Sequence, residues 1–436
     1  MKTGIGKLLQ IAQGDRPLIG GLLLQAAFTG IFVGALELEA NAVFLESFGA
    51  GKVPLGLMIS GAAGILITTV YSYLSKQLGS NTFGIYNLLA VVLMTAALIV
   101  GFNLLEIQQL DFVIFVVAGP LILITLLGFW TTVRDFLSPS RSKQLSGLID
   151  VTLIGGMILA FIATPILVGL GFRLHYTLYV GMASLTLATL AQLYVLNNIG
   201  KQHHRFKARV RSTGPLRLFS HKYTALMAGF VVLGIAVAVL IHYAFLSVTG
   251  SRFPGGIELV SFLGYVFGSM MLLAWLMKRF LFAWVKKKFG IKMTLLLAPV
   301  TLLLFTILAT IAGESYGFAG EAQLFTYFFL LVVFSKMINR TLKESMEDTS
   351  MNVIYKSLDP LERPNVQSCF DGVVSQICVF AACLLLACIV MISFVTIIHV
   401  TYVLFVFLVI WFFVGSALYQ NYHKMLKVTL ESDKVQ

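Results

Sequence analysis

The fold class this sequence predicts is an all-α integral membrane protein: twelve transmembrane helices in two six-helix pseudo-repeats. Three observations predict it. Hydrophobic residues make up 58% of the 436, charged residues only 11%, and mean hydropathy is +0.91. A soluble domain carries about 25% charged residues. Secondly, the stretch Asn197–Lys222, NNIGKQHHRFKARVRSTGPLRLFSHK, holds a dense set of Lys, Arg and His and no acid. So polar a run cannot sit in hydrocarbon, and it separates two apolar arrays of similar length. Thirdly, the other Lys and Arg residues punctuate the apolar runs. Short loops rich in Lys/Arg stay cytoplasmic, which orients the array. The net charge of +12 therefore marks the inner face of a lipid bilayer and no nucleic-acid partner.

A spanning helix needs about 20 apolar residues. The first half, 1–196, opens on a basic segment with Lys2, Lys7 and Arg16, suited to an interfacial helix. Spans follow over 18–45, 53–75, 83–103, 111–133, 146–172 and 176–196. The linker 197–222 leads to the second half, 223–436, with spans over 223–247, 257–277, 293–313, 323–339, 369–392 and 395–420. With both termini cytoplasmic, all Lys and Arg outside Lys52, Arg173 and Arg252 fall on the inner side. The first apolar run is too long for a secretory signal and is expected to remain as a helix. The expected location is the bacterial inner membrane.

The halves correspond. Ser75-Lys76-Gln77-Leu78-Gly79 follows the second span, and Lys286-Lys287-Lys288-Phe289-Gly290 follows the eighth. Long cytoplasmic loops precede the fifth and eleventh spans, with Arg141 before Asp150 and Arg363 before Asp371. Parallel repeats around a basic linker are the pattern of the major facilitator architecture.

Charges inside the membrane are the sharpest functional signal, since each costs roughly 2.5–3.5 kcal/mol at a helix centre on insertion scales. Glu37, Glu39 and Asn41 lie in the first span, with Glu46 near its outer end. Glu37 and Asn41, four residues apart, share a helical face, and Glu39 points elsewhere. Facing a water-filled cavity, Glu37 and Asn41 could line a substrate path or carry a proton. The alternative is that Glu39 and Glu46 are wet at the outer surface and Glu37 is paired with a neighbouring helix. Asp150 with Arg141, and Asp371 with Arg363, are candidate cytoplasmic gates. Their alternative role is to meet the positive ends of their own helices. Lys336, Arg340 and Lys343 follow helical spacing and form one basic mouth on the tenth span, a place for an anion or a deposit of the positive-inside rule. His242 is an intramembrane imidazole, either proton-linked or structural.

Other features are bland. Cys369, Cys378, Cys383 and Cys388 share one apolar segment and lack metal-ligand spacing, and His203-His204 has no partner cluster. Gly30-x-x-x-Gly34, Ser60-x-x-x-Gly64 and Gly264-x-x-x-Gly268 predict close helix packing. Pro120 and Pro165 predict kinks. No enzyme or cofactor motif appears, and no metal site is expected.

Glu344 to Asp359, ESMEDTSMNVIYKSLD, followed by Phe370-Asp371-Gly372-Val373-Val374, resembles the nucleotide transporters of the ATP/ADP antiporter family. Phe129-Trp130 and the stretch from Arg141 to Leu145 resemble that family's region between the fourth and fifth helices. Glu37-Leu38-Glu39-Ala40-Asn41 stands where the family carries a basic motif, and Gln367 where it carries a lysine. The resemblance implies the fold and a secondary transporter of a small solute, nucleotide-like or another organic anion. A lipid or amphiphile translocator and a non-transporting membrane scaffold subunit are the alternatives.

Overall fold

The computed structural model describes residues 16–77, 80–105, 108–137, 139–198, 222–317, 325–355, 357–358, 366–367, 369–392 and 395–432. No strand occurs among them. The helices are α1 (Arg16–Phe48), α2 (Val53–Gln77), α3 (Ser80–Leu105), α4 (Gln109–Phe136), α5 (Pro139–Gly169) and α6 (Tyr176–Asn198). After the linker come α7 (Lys222–Arg252), α8 (Gly256–Leu276), α9 (Phe282–Tyr316), α10 (Phe325–Leu342), α11 (Ser375–Val390) and α12 (Ile397–Ser432). Eleven described helices are long and apolar enough to cross a membrane. α11 itself has only 16 residues, but the π-helical turn Phe370–Val374 runs straight into it. The stretch 370–390 is thereby long enough to serve as the expected twelfth span.

Two boundaries depart from the sequence reading. The tenth span does not stop at residue 339. α10 passes through a π-helical turn, Lys343–Glu347, into Asp348–Tyr355. Polar residues within 340–355 suggested a loop, yet Ser345, Glu347 and Ser350 are buried against neighbouring helices and the turns continue. The ninth span begins earlier, at Phe282, and breaks at Gly290, where φ is 74°. That conformation is cheap only without a Cβ. The glycine of the Lys286–Gly290 motif thus separates an exposed basic segment from the apolar helix. The long first span is one 33-residue helix, about 50 Å long.

By compactness the chain divides into two units. The first comprises Met1–Ser47, Leu66–Ala208 and Gly256–Ser269; the second comprises Phe48–Ile65, Arg209–Gly255 and Met270–Gln436. In the first, α1 packs on α5 along a seam of glycines. A Cβ at Gly34 would stand 2.9 Å from the Met157 carbonyl, and one at Gly156 would strike the Ala27 carbonyl. The start of α8 joins this unit. Phe267 meets Phe161 edge-on at 5.5 Å, and a Cβ at Gly264 would lie 2.6 Å from the Phe161 carbonyl. The small-residue motifs read from the sequence mark these approaches. A buried polar chain also runs through the unit, Gln25 to Gln192 at 3.1 Å and Gln192 to Thr132 at 3.2 Å.

In the second unit the start of α2 packs on α11, where a Cβ at Gly61 would stand 2.9 Å from Phe380 Cα. Its core includes Phe230 against Trp411 at 5.4 Å and the cluster Phe325, Phe328 and Phe329. α10 is tied to its neighbours by two hydrogen bonds. Thr341 Oγ1 donates to the Met270 carbonyl (3.3 Å), and Ser350 Oγ donates to Thr294 Oγ1 (2.8 Å). All three described π-helical turns, 277–281, 343–347 and 370–374, belong to this unit.

Candidate functional site

In the first unit, every residue of α1 from Leu38 to Leu45 is buried. A helix apolar or buried on all sides lies inside its bundle, so its polar side chains must find partners within the protein. Asn41 Nδ2 donates to the Glu37 carbonyl at 2.7 Å, one turn back, and Asn41 Oδ1 is buried without a hydrogen bond. Glu37 is half-buried. Its side chain and that of Asn41 share the face the spacing predicted.

Glu39 is 0% exposed, which overturns the reading of a wet carboxylate at the outer surface; Glu46 is exposed, as read. Two groups from the start of α6 and the connection before it satisfy Glu39. His175 Nδ1 lies 2.8 Å from Oε1, and the Thr177 hydroxyl donates to Oε2. The imidazole is stacked on Phe102 with centroids 4.4 Å apart. Nearby, Ser47 Oγ donates to Asp111. His175 lies in the connection between spans, and its hydrogen bond to Glu39 raises its pKa above the ordinary value. Burial opposes that rise, and the charges of Glu39, Asp111 and Glu46 add to it.

The second unit gathers the cations. Lys336 is only 9% exposed, and Asn339 beside it is buried. The charges of Lys336 and Arg340 both act on His242 of α7, whose Nδ1 is buried without a hydrogen bond. Lys343 lies in the π-helical turn, and its charge acts instead on Glu347, a carboxylate 7% exposed. The basic mouth is therefore divided between two neighbours. Lys336 and Arg340 stand beside an imidazole, while Lys343 accompanies an acid.

Of the gate residues, Asp150 is half-buried on α5. Arg363 and the side chains of Arg141 and Asp371 lie outside the described residues, as do His203 and His204. The four cysteines are free. Among the described residues no group of three His, Cys, Asp or Glu could hold a metal ion. Sequence reasoning missed His175, Thr177 and Glu347. The first two stand beyond 130 positions from Glu39 in the chain, and Glu347 was hidden in a presumed loop.

No protein-family profile matches this chain, and no curated protein matches it in sequence. Solved structures do. A mutant of the nucleoside transporter NupG superposes with a TM-score of 0.64 at 15% identity, covering 92% of this chain and 99% of that one. NupG itself gives 0.57 at 16% identity, over 95% and 100%. A bacterial metal transporter gives 0.55 at 13% identity, over 92% and 98%. This is an integral membrane protein with the major facilitator architecture. At these identities the likeness concerns the fold, which by itself hosts many functions.

Proposed function

We propose that this protein is a secondary transporter that moves a small organic anion by alternating access. The observation that carries the reading is the pair Lys336 and Arg340. Two cations one helical turn apart, with Lys336 buried and an imidazole bearing a free Nδ1 beside them, are costly at membrane depth. Such groups face a bundle interior or a water-filled path and mark substrate routes. Arginine in particular suits carboxylate and phosphate geometry. Support comes from the nucleoside-transporter and metal-transporter neighbours, by fold analogy, and from the resemblance of residues 344–359 to nucleotide transporters. On this reading the halves 1–196 and 223–436 are the moving parts joined by linker 197–222. Glu37 and Asn41 line the path, while Asp150 with Arg141 and Asp371 with Arg363 control the cytoplasmic side. The protein sits in a bacterial inner membrane with both termini inside.

The test is thermal stabilisation of purified protein by adenosine, adenosine monophosphate, dicarboxylates and phospholipids. A ligand at 100 times its Kd stabilises by about 2.7 kcal/mol. An anion is expected to raise the melting temperature of wild type and to lose that effect in Lys336→Gln and Arg340→Gln. Stabilisation by phospholipid alone would replace the reading with lipid translocation. A stoichiometric co-purifying partner without any ligand response would replace it with a scaffold role.

A further inference from the structure

The π-helical turn of α10 carries an acid that the substrate reading does not use. Glu347 is 7% exposed, buried where α10 meets α7 and α12. A Cβ built on Gly234 of α7 would stand 3.2 Å from Glu347 Oε1 and 3.0 Å from Trp411 Cζ2 of α12. The carboxyl group and the indole thus converge on one bare patch of α7. Trp411 Nε1 is buried and donates to nothing. Among the described residues no hydrogen bond or ion pair reaches the Glu347 carboxyl, and the one charge acting on it is Lys343, four residues back on its own helix. Gly234 and Trp411, which face it from α7 and α12, do not titrate.

The surrounding turn is otherwise well anchored. Ser345 Oγ donates to the Thr341 carbonyl at 2.6 Å, and Ser350 and Thr341 bond to α9 and α8. π-Helical turns inside α-helices are frequent at functional sites.

We infer that Glu347 is a proton-binding site, a carboxyl group that takes up and releases a hydrogen ion at membrane depth. Uptake converts the carboxylate to the acid and breaks no hydrogen bond, because none among the described residues holds the oxygens. Release leaves a negative charge that is balanced by Lys343, four residues back on the same helix. A hard metal cation asks for six or more oxygen ligands, whereas this site offers one carboxyl and a donor. The link of this proton to solute movement rests on the transport reading above; proton binding itself does not.

Infrared titration of the purified full-length protein, from about pH 4 to about pH 10, tests the inference without any solute. Wild type is expected to show a pH-dependent carboxylic C=O band that Glu347→Gln lacks and Glu39→Gln retains. Gly234→Ser, which sets a hydroxyl beside Oε1, is expected to move the frequency of that band. Identical pH-dependent bands in wild type and Glu347→Gln overturn the site. So does a band that Gly234→Ser leaves in place, a readout that stands even if Glu347→Gln does not fold. Absence of transport in liposomes would remove the transport reading and leave this measurement unaffected.

Discussion

Glu39 and Glu347 are both buried carboxyl groups on spanning helices, one in each unit, and the protein treats them oppositely. Glu39 has a donor on each oxygen, from His175 and Thr177, and an aromatic ring braces the histidine. Glu347 has one charge nearby and a glycine and an indole for walls. A satisfied acid pins the start of α6 to α1 and would be expensive to disturb. An acid without such donors pins nothing, and the proposed proton site gives it a reason to stand there. Position inside the membrane therefore does not by itself identify a working residue; the inventory of donors around it does.

The largest effect expected from this contrast comes from removing the donors. His175→Ala combined with Thr177→Val leaves Glu39 buried and alone, and should lower stability by about 3–5 kcal/mol, seen as a fall in melting temperature in detergent. By contrast, Glu347→Leu should stay within about 1 kcal/mol of wild type or exceed it, since an apolar replacement of a poorly paired buried ion is often neutral or stabilising. Equal losses in the two experiments would erase the distinction.

Gly234→Ala ranks next. The added methyl group would sit 3.0 Å from Trp411 and 3.2 Å from Glu347 Oε1, a crowding that costs about 1–3 kcal/mol. Gly147→Ala, with nothing within 4 Å, should be neutral or slightly stabilising, which separates crowding from helix propensity. The smallest effect is a pH slope. The His175 pKa lies above 6.5 in the folded protein, so the stability contributed by its protonated form is complete below about pH 6.5 and is lost as pH rises through the raised value. Melting temperature should decline gently with pH over that window. His175→Gln should flatten the decline.

Much of this was legible in the sequence. The spans followed from hydropathy and the spacing of cations, because lipid demands continuous apolar helices whatever the tertiary detail. The glycine motifs at Gly30, Gly34 and Gly264 located real approaches of helix to helix. Glu37, Glu39 and Asn41 stood out because charge and amide are rare in such a run. Their partners did not, since pairing across more than 130 positions is settled by packing and leaves no local pattern. Lys336 was read at a mouth because cations usually lie there; its burial depends on α7, which the spacing of α10 cannot report. Glu347 was lost for a simpler reason. Residues 340–355 look like a loop by polarity, and only their burial against α7, α8 and α9 keeps them helical.

The glycine seam between α1 and α5 has a practical corollary. Where a single methyl group would already collide with the Met157 carbonyl, neither helix can slide or rotate on the other without opening a gap. Spin or fluorescent labels placed on exposed positions of α1 and α5, such as Leu24 and Leu159, should keep one fixed separation under every condition. That pair would serve as a built-in ruler against which any labelled pair that does change its distance can be calibrated.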